Sequence, residues 1–402
     1  MSQAITRPSP ATHDDGELTI TTGGMTLGGW QDIRVTRGVE RMPGDFNLAL
    51  TERNPDASGS VVVEPFQPCV VRIGGDAVIT GYVNDYEPEI SPEGHNVRVV
   101  GAGKCQDLVD CSAVVPSMQM TTSSAVSLAQ QLAKPFGITA SSPLGTVLVD
   151  DYGKPAQFNV NLGETPFEII DRVARFAKVL AFEGADGNLV LDQVGRQQMS
   201  SGFVQGVNIE SARCRFSASE RFSEYVACIM SAQQFSQVDG ADGNTLGRVF
   251  DKAVPRYRPR VIISEQATKA GFLALQRATW EMNRRIGRSQ ILTLTCDSWR
   301  DSAGKLWEPN FLASVHIPAL KLFNQMWVIG EVTYRRGADG THADLILMPP
   351  AAYSPEPQSL QLYLWQVGQS LGHGAAAASS TNAQALAAAQ SPGTTVNLTP
   401  PS

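Results

Sequence analysis

Between residues 18 and 103 the chain alternates apolar and polar residues in runs too short for anything but strands. Leu18-Thr19-Ile20-Thr21, Ile33-Arg34-Val35-Thr36 and Phe46-Asn47-Leu48-Ala49-Leu50 each place apolar side chains on alternate positions. A period of two sends successive side chains to opposite faces of an extended chain, one face buried and one wet. Val70 to Ile73, Ala77 to Val83 and Asn96 to Val100 continue the series, and Gly74-Gly75-Asp76 reads as a hairpin turn. This spacing predicts a small β-barrel or sandwich over residues 18–105, after an N-terminal arm over 1–17.

The period then changes. Val126, Leu128, Ala129, Leu132 and Ala133 recur at helical spacing within 123–134, and Pro135 ends that run. A second helix opens on the strongest cap of the chain: Thr165 at N-cap, Pro166 at N1 and Glu168 at N3 form a capping box. Ile169, Ile170, Val173, Ala174 and Ala177 supply its apolar face. Leu180 to Glu183 and Leu189 to Leu191 read as a hairpin. Residues 106–200 are therefore expected to form an α+β domain with two helices.

Strand patterns return over 201–350: Glu224 to Ser231, Gln290 to Cys296, Ser314 to Ile317, Met326 to Tyr334 and Ala343 to Met348, with one long helix near 265–287. A second β-barrel is expected there. Gly-Ala-Asp-Gly occurs at 184–187, 240–243 and 337–340, each time between strand-like runs. The flanks differ, so the copies read as shared turn chemistry rather than a repeat array. Pro349-Pro350 and Pro355-Glu356-Pro357 open a C-terminal extension over 351–402, low in complexity from about 372. It reads either as a disordered tail or as a docking strap anchored by Tyr363 and Trp365; from Gly372 onward its composition cannot bury a core. The fold class expected is α+β, predominantly β.

Composition narrows the function. A net charge of −7 argues against whole-chain affinity for nucleic acid. Ten Lys/Arg stand against three acids in 248–288 (Arg248, Lys252, Arg256, Arg258, Arg260, Lys269, Arg277, Arg284, Arg285 and Arg288), a local +7 that leaves −14 elsewhere. That segment is either a docking face for an acidic partner or a helix face with local ion pairs. The six Cys (69, 105, 111, 214, 228, 296) form no CxxC, and Met1 to Glu17 has no apolar signal region, so reduced thiols in a cytoplasm are expected. No apolar run reaches the 18 residues of a membrane-spanning helix, so no membrane anchor is expected.

Catalytic signatures are weak. His13 with Asp14 and Asp15 lies in the arm, and His316 alternates with strand apolars. Gly101-Ala102-Gly103-Lys104 is half a phosphate loop, with Arg98 where the first Gly belongs and Cys105 where Ser/Thr belongs. Asp150-Asp151 and Asp85/Glu87/Glu89 are carboxylate pairs of the kind a glycosidase uses, and are more often solvated surface. Asp239 to Asn244 lacks the ligand alternation of a calcium loop. No catalytic residue, cofactor-binding residue, metal ligand, hydrolase triad or cofactor is expected. Trp299, Trp307 and Trp327 leave open a glycan-binding reading, and Asp150-Asp151 a peptidoglycan hydrolase.

Four colinear stretches resemble one family, the Mu-like central baseplate hub proteins of contractile phage tails. They are Gly101 to Ala113; Gly163-Glu164-Thr165-Pro166-Phe167-Glu168 through Ala181, with Asp186 to Leu191; Trp299-Arg300-Asp301-Ser302-Ala303-Gly304-Lys305-Leu306-Trp307-Glu308-Pro309-Asn310; and Trp327 to Tyr334, ending at Leu347-Met348-Pro349-Pro350. Their order spans roughly 18–357. The resemblance implies a homotrimeric ring in the virion tail baseplate, assembled in the host bacterial cytoplasm. Two β-barrels per chain would give it a pseudo-six-fold face toward the tail tube or distal tube protein. A trimeric, membrane-puncturing spike and baseplate wedge proteins would be its other partners, and DNA would leave through the ring without specific binding.

Overall fold

The computed structural model describes residues 16–52, 63–92, 94–115, 119–149, 156–230, 244–264 and 270–356. Seven strands come first: β1 (Leu18–Thr22), β2 (Met25–Leu27), β3 (Asp32–Gly38), β4 (Asp45–Glu52), β5 (Pro68–Ile73), β6 (Asp76–Ser91) and β7 (Gly94–Gly103). Period two is visible in their burial. Leu18, Ile20 and Thr22 of β1 are buried, whereas Thr19 and Thr21 are half-exposed. The β5–β6 hairpin closes on the pair Ile73↔Asp76, with Gly74 at φ +59°, a left-handed backbone that Gly adopts at little cost.

The middle of the chain holds α1 (Gln106–Asp110), β8 (Gln119–Thr122), α2 (Ala125–Ala133), β9 (Ala140–Ser141), β10 (Ala156–Asn159), α3 (Pro166–Phe176), β11 (Leu180–Glu183) and β12 (Leu189–Asp192). Three helices stand where two were expected. α1 buries only Leu108, and five residues are too few to display a helical period. The capping box of α3 is made in both directions: Thr165 Oγ1 accepts from Glu168 N (3.2 Å), and Glu168 Oε2 accepts from Thr165 N (2.8 Å). The apolar faces of α2 and α3 close a core of their own, separate from the β core.

The last stretch holds β13 (Gln197–Gln198), β14 (Phe203–Val204), β15 (Ile209–Phe216), β16 (Glu224–Met230), β17 (Asn244–Phe250), β18 (Pro259–Ser264), α4 (Ala270–Arg288), β19 (Gln290–Cys296), β20 (Phe311–Ile317), β21 (Leu322–Gly337) and β22 (Gly340–Met348). Strands β17-β16-β18 form a small sheet whose inner residues, Tyr225, Ala227 and Ile262, pack on Ala274 and Ala278 of α4.

The two strand-rich segments are not separate bodies. They share one sheet, ordered β15-β19-β22-β21-β3-β4-β7-β6-β5-β1-β2, with β20 beside β21 and β13 and β14 beside β20. They also share one core, running from Leu18 to Leu347. Among the described strands the pairing leaves this sheet open, so neither segment closes into the expected barrel by backbone pairing.

Within the sheet one unit is built twice. The order β5-β6-β7-β4-β3 matches β20-β21-β22-β19-β15. The registers match as well: Val83↔Gly101, Asp85↔Val100 and Ser91↔Gly94 correspond to Ile329↔Leu347, Glu331↔Ile346 and Gly337↔Gly340. Both hairpins carry a bulge at the same step, at Asn84 and at Gly330. Phe46↔Gly101 corresponds to Leu292↔Leu347, and Val35↔Phe46 to Cys214↔Leu292, so β15 is the counterpart of β3. The outermost strands differ, since β1 runs antiparallel to β5 whereas β14 runs parallel to β20.

Candidate assembly site

Three features of this architecture bear on assembly. The first is the seam between the two β units, where β3 lies antiparallel to the second half of β21 from Gly38↔Glu331 to Ile33↔Arg336. Thr36 and Thr333 hydroxyls meet across it at 3.1 Å. An internal seam of this kind fixes both units as one rigid piece, because sliding it by one residue would turn buried Ile33 and Val35 to water.

The second is a carboxylate joint between the first β unit and the α+β unit. Glu183, at the end of β11, accepts from Gly44 N with Oε2 (3.0 Å) and from Cys105 N with Oε1 (2.9 Å). The residue keeps some exposure, but its carboxylate is enclosed. Burial pushes the carboxyl above its ordinary value, and the two amide N–H groups and Arg37 pull it part of the way back. A Cβ on Gly103 would lie 2.1 Å from Glu183 Oε2, so only Gly leaves room for the joint. Gly101 is constrained similarly, by Tyr82 O at 2.3 Å and the Phe46 ring at 2.4 Å. The Gly101-Ala102-Gly103 string is thus the crowded end of β7, not a phosphate loop.

The third is the basic helix. Its arginines bind within the chain. Arg284 and Arg288 pair with Glu40, Arg285 with Glu220 and Glu281, and Arg277 with Glu356. Trp280 Nε1 donates to Ser354 O (2.8 Å), and Arg284 Nη1 donates to the same oxygen (3.0 Å). Segment 350–356 is therefore clasped by α4, and Tyr353 is buried beneath Gly330, where a Cβ would meet its hydroxyl at 1.7 Å. The local-ion-pair reading of 277–288 is the one realised. Lys252, Arg256 and Arg260 remain exposed, while Lys269 lies outside the described residues.

The remaining sequence candidates are dispersed. Trp299, Trp307 and Trp327 are 3%, 1% and 2% exposed, so none is available to stack on a sugar. Trp299 Nε1 donates to His342 O (2.8 Å), and Phe203 packs on Trp307 at 4.5 Å. His316 is half-buried on β20, edge-on to Phe323. Asp85, Glu87 and Glu89 line the exposed second half of β6, Glu87 3.2 Å from Arg98. His13 to Asp15, Asp150-Asp151, the Gly-Ala-Asp-Gly at 240–243, and Tyr363 with Trp365 lie outside the described residues. So does Gly368-Gln369-Ser370-Leu371-Gly372, a Gly-x-Ser-x-Gly string that follows the apolar run Leu360 to Leu364 and is a sequence-level exception to the expected lack of a hydrolase triad. Among the described residues no group of three or more His, Cys, Asp or Glu is placed to hold a metal, and no helix is long and apolar enough to cross a membrane.

Three family models match in series: the Mu phage baseplate assembly protein GpP-like N-terminal domain over 17–103, the second domain of gp44-like baseplate hub proteins over 105–193, and the fourth domain of the Mu phage baseplate assembly protein GpP over 270–356. The 43 kDa tail protein of prophage MuSo2 from Shewanella oneidensis is 30% identical and superposes with a TM-score of 0.72, over 84% of this chain and 99% of that one. The chain belongs to the Mu-like baseplate hub proteins. The hub protein gp44 of Escherichia phage Mu is 27% identical over 328 residues, 79% of this chain and 83% of its own. A tail protein from Neisseria meningitidis MC58 shares the fold at 19% identity, TM-score 0.67, over 86% of this chain and all of that one. This hub is accordingly a structural component of a phage tail baseplate. Sequence reasoning expected two β segments but missed the matched strand order and register that relate them, together with the Glu183 joint and the Glu40 and Glu356 clasps. Equal spacing of the two long hairpins was the one signal that could have exposed that match.

Proposed function

We propose that this hub is one third of a ring joining the tail tube to the spike. Three copies would present six β units toward a hexameric tube or distal tube protein. Their true three-fold symmetry would match a trimeric spike on the other side, and wedge proteins would surround the ring. The observation that supports this reading best is the doubled unit. A chain carrying two matched β units lets three-fold symmetry imitate six-fold symmetry at one face. DNA would leave through the centre, where a chain of net charge −7 discourages retention of phosphate. Assembly in the host cytoplasm agrees with six unbridged cysteines. Single-particle images of the purified chain test the proposal: open rings with three-fold symmetry and six β lobes are expected, and solid or two-fold particles would overturn it.

A further inference from the structure

Among the described strands the two matched β units make one of the two seams that such units offer. Inside the chain, β3 of the first unit lies on the second half of β21 of the second. The counterparts of these two strands are β15 and the second half of β6, and each has an open edge. β15 pairs with β19 alone. β6 pairs with β5 only as far as Tyr82, and from Asp85 to Ser91 it pairs with β7 alone. Among the described strands nothing covers either edge. An exposed edge is a template for another strand, and two different edges that fit each other make a head-to-tail contact, which closes into a ring.

We propose that β15 of one copy adds, antiparallel, to the outer edge of β6 in the next copy, in the register of the internal seam. This rests on the ring reading above and supplies its contact. In the internal seam Arg37 faces Val332, Thr36 faces Thr333, Val35 faces Tyr334, Arg34 faces Arg335 and Ile33 faces Arg336. Carried over by the matched registers, Phe216 faces the neighbour's Tyr86, Arg215 faces Glu87, Cys214 faces Pro88, Arg213 faces Glu89 and Ala212 faces Ile90.

Charge played no part in deriving that register, yet both arginines land on glutamates. Arg213, Arg215, Glu87 and Glu89 are all exposed in the single chain. Glu87 already pairs with Arg98 on β7 at 3.2 Å, so Arg215 would extend an ionic row across three strands. The Arg215–Glu87 pair takes the place that the Thr36–Thr333 hydrogen bond holds in the internal seam. The alternate row is apolar. Ile90 is 85% and Phe216 57% exposed, large side chains that one chain leaves in water. Ala212, Cys214 and Tyr86 of the same row already pack on the margin of the shared core, so the contact would carry that core across the boundary between copies. Pro88 has no N–H to give, which makes the edge a poor template for unrelated strands and leaves specificity to the side chains.

The test is a disulfide between copies of the full chain. The double variant Glu89→Cys/Arg213→Cys should give covalent dimers and closed rings under oxidation, reversed by reductant. Neither single variant should do so, nor should the out-of-register pair Glu89→Cys/Arg215→Cys. In parallel, Arg213→Glu/Arg215→Glu should weaken self-association by at least about tenfold. Adding Glu87→Arg/Glu89→Arg to that chain should restore it. If the wild-type chain forms rings but the in-register pair does not cross-link and the charge swap does not rescue, the strand contact is wrong and the ring reading survives. A wild-type chain that stays monomeric overturns both.

Discussion

Replacing Glu183 by Ala removes the carboxylate that joins the first β unit and the α+β unit at Gly44 and Cys105. The two amides it leaves behind, of Cys105 and Gly44, are both buried, so each N–H would lose its acceptor without gaining water. A buried donor left without a partner costs about 1–3 kcal/mol, so roughly 2 kcal/mol of local stability should be lost at each amide. Amide hydrogen exchange reads this directly. The Cys105 and Gly44 amides should each exchange about thirtyfold faster, since 1.4 kcal/mol corresponds to about tenfold. Equal exchange at Cys105 in variant and wild type would refute the idea that Glu183 holds the joint. The pH dependence has a definite sign. Because burial holds the folded carboxyl above its ordinary value, its protonated form favours the folded chain. That contribution is full below the ordinary carboxyl titration, near roughly pH 4. It declines as pH rises through the raised folded value. Glu183→Gln cannot titrate, so the stability margin of wild type over this variant should be widest in acid and narrow toward neutrality.

Thr165→Ala should destabilise α3 by about 1 kcal/mol, read as faster exchange of the Glu168 amide, while Thr165→Ser should be close to neutral. The clasp between Glu40 and α4 is a weaker matter. Glu40 and Arg288 are 39% and 40% exposed in their side chains, and Arg284 24%. A double-mutant cycle on Glu40 and Arg284 should therefore give a coupling below about 1 kcal/mol that shrinks in high salt.

What could be read in advance follows from how local each signal is. Alternation located the short strands because burial of one sheet face leaves a period of two in the sequence; β11 and β19 run over the residues expected of them. The capping box of α3 involves residues three apart and is present atom for atom. The second half of β6 was missed because Asp85 to Ile90 holds three acids and a proline on an exposed edge, where alternation carries no burial. Two β segments were expected, but their matched order and register were missed for a related reason: backbone register repeats without repeating residue types, so Asn84 and Gly330 hold the same bulge with unrelated side chains. Glu183, Glu40 and Glu356 look like solvated acids in sequence, because each meets its partners only through folding, across separations no local pattern spans. The edges proposed to join copies were invisible for the same reason, since their meaning depends on a seam elsewhere in the chain.

Under the proposed function the hub closes on itself as a ring of three. Native mass spectrometry of the purified full chain tests it most directly. A dominant species of three times the 43.2 kDa chain mass is expected, persisting on dilution and dissociating when Arg213 and Arg215 are both replaced by Glu. A single-chain mass at every concentration, or a stable assembly of a different number of copies, would contradict it.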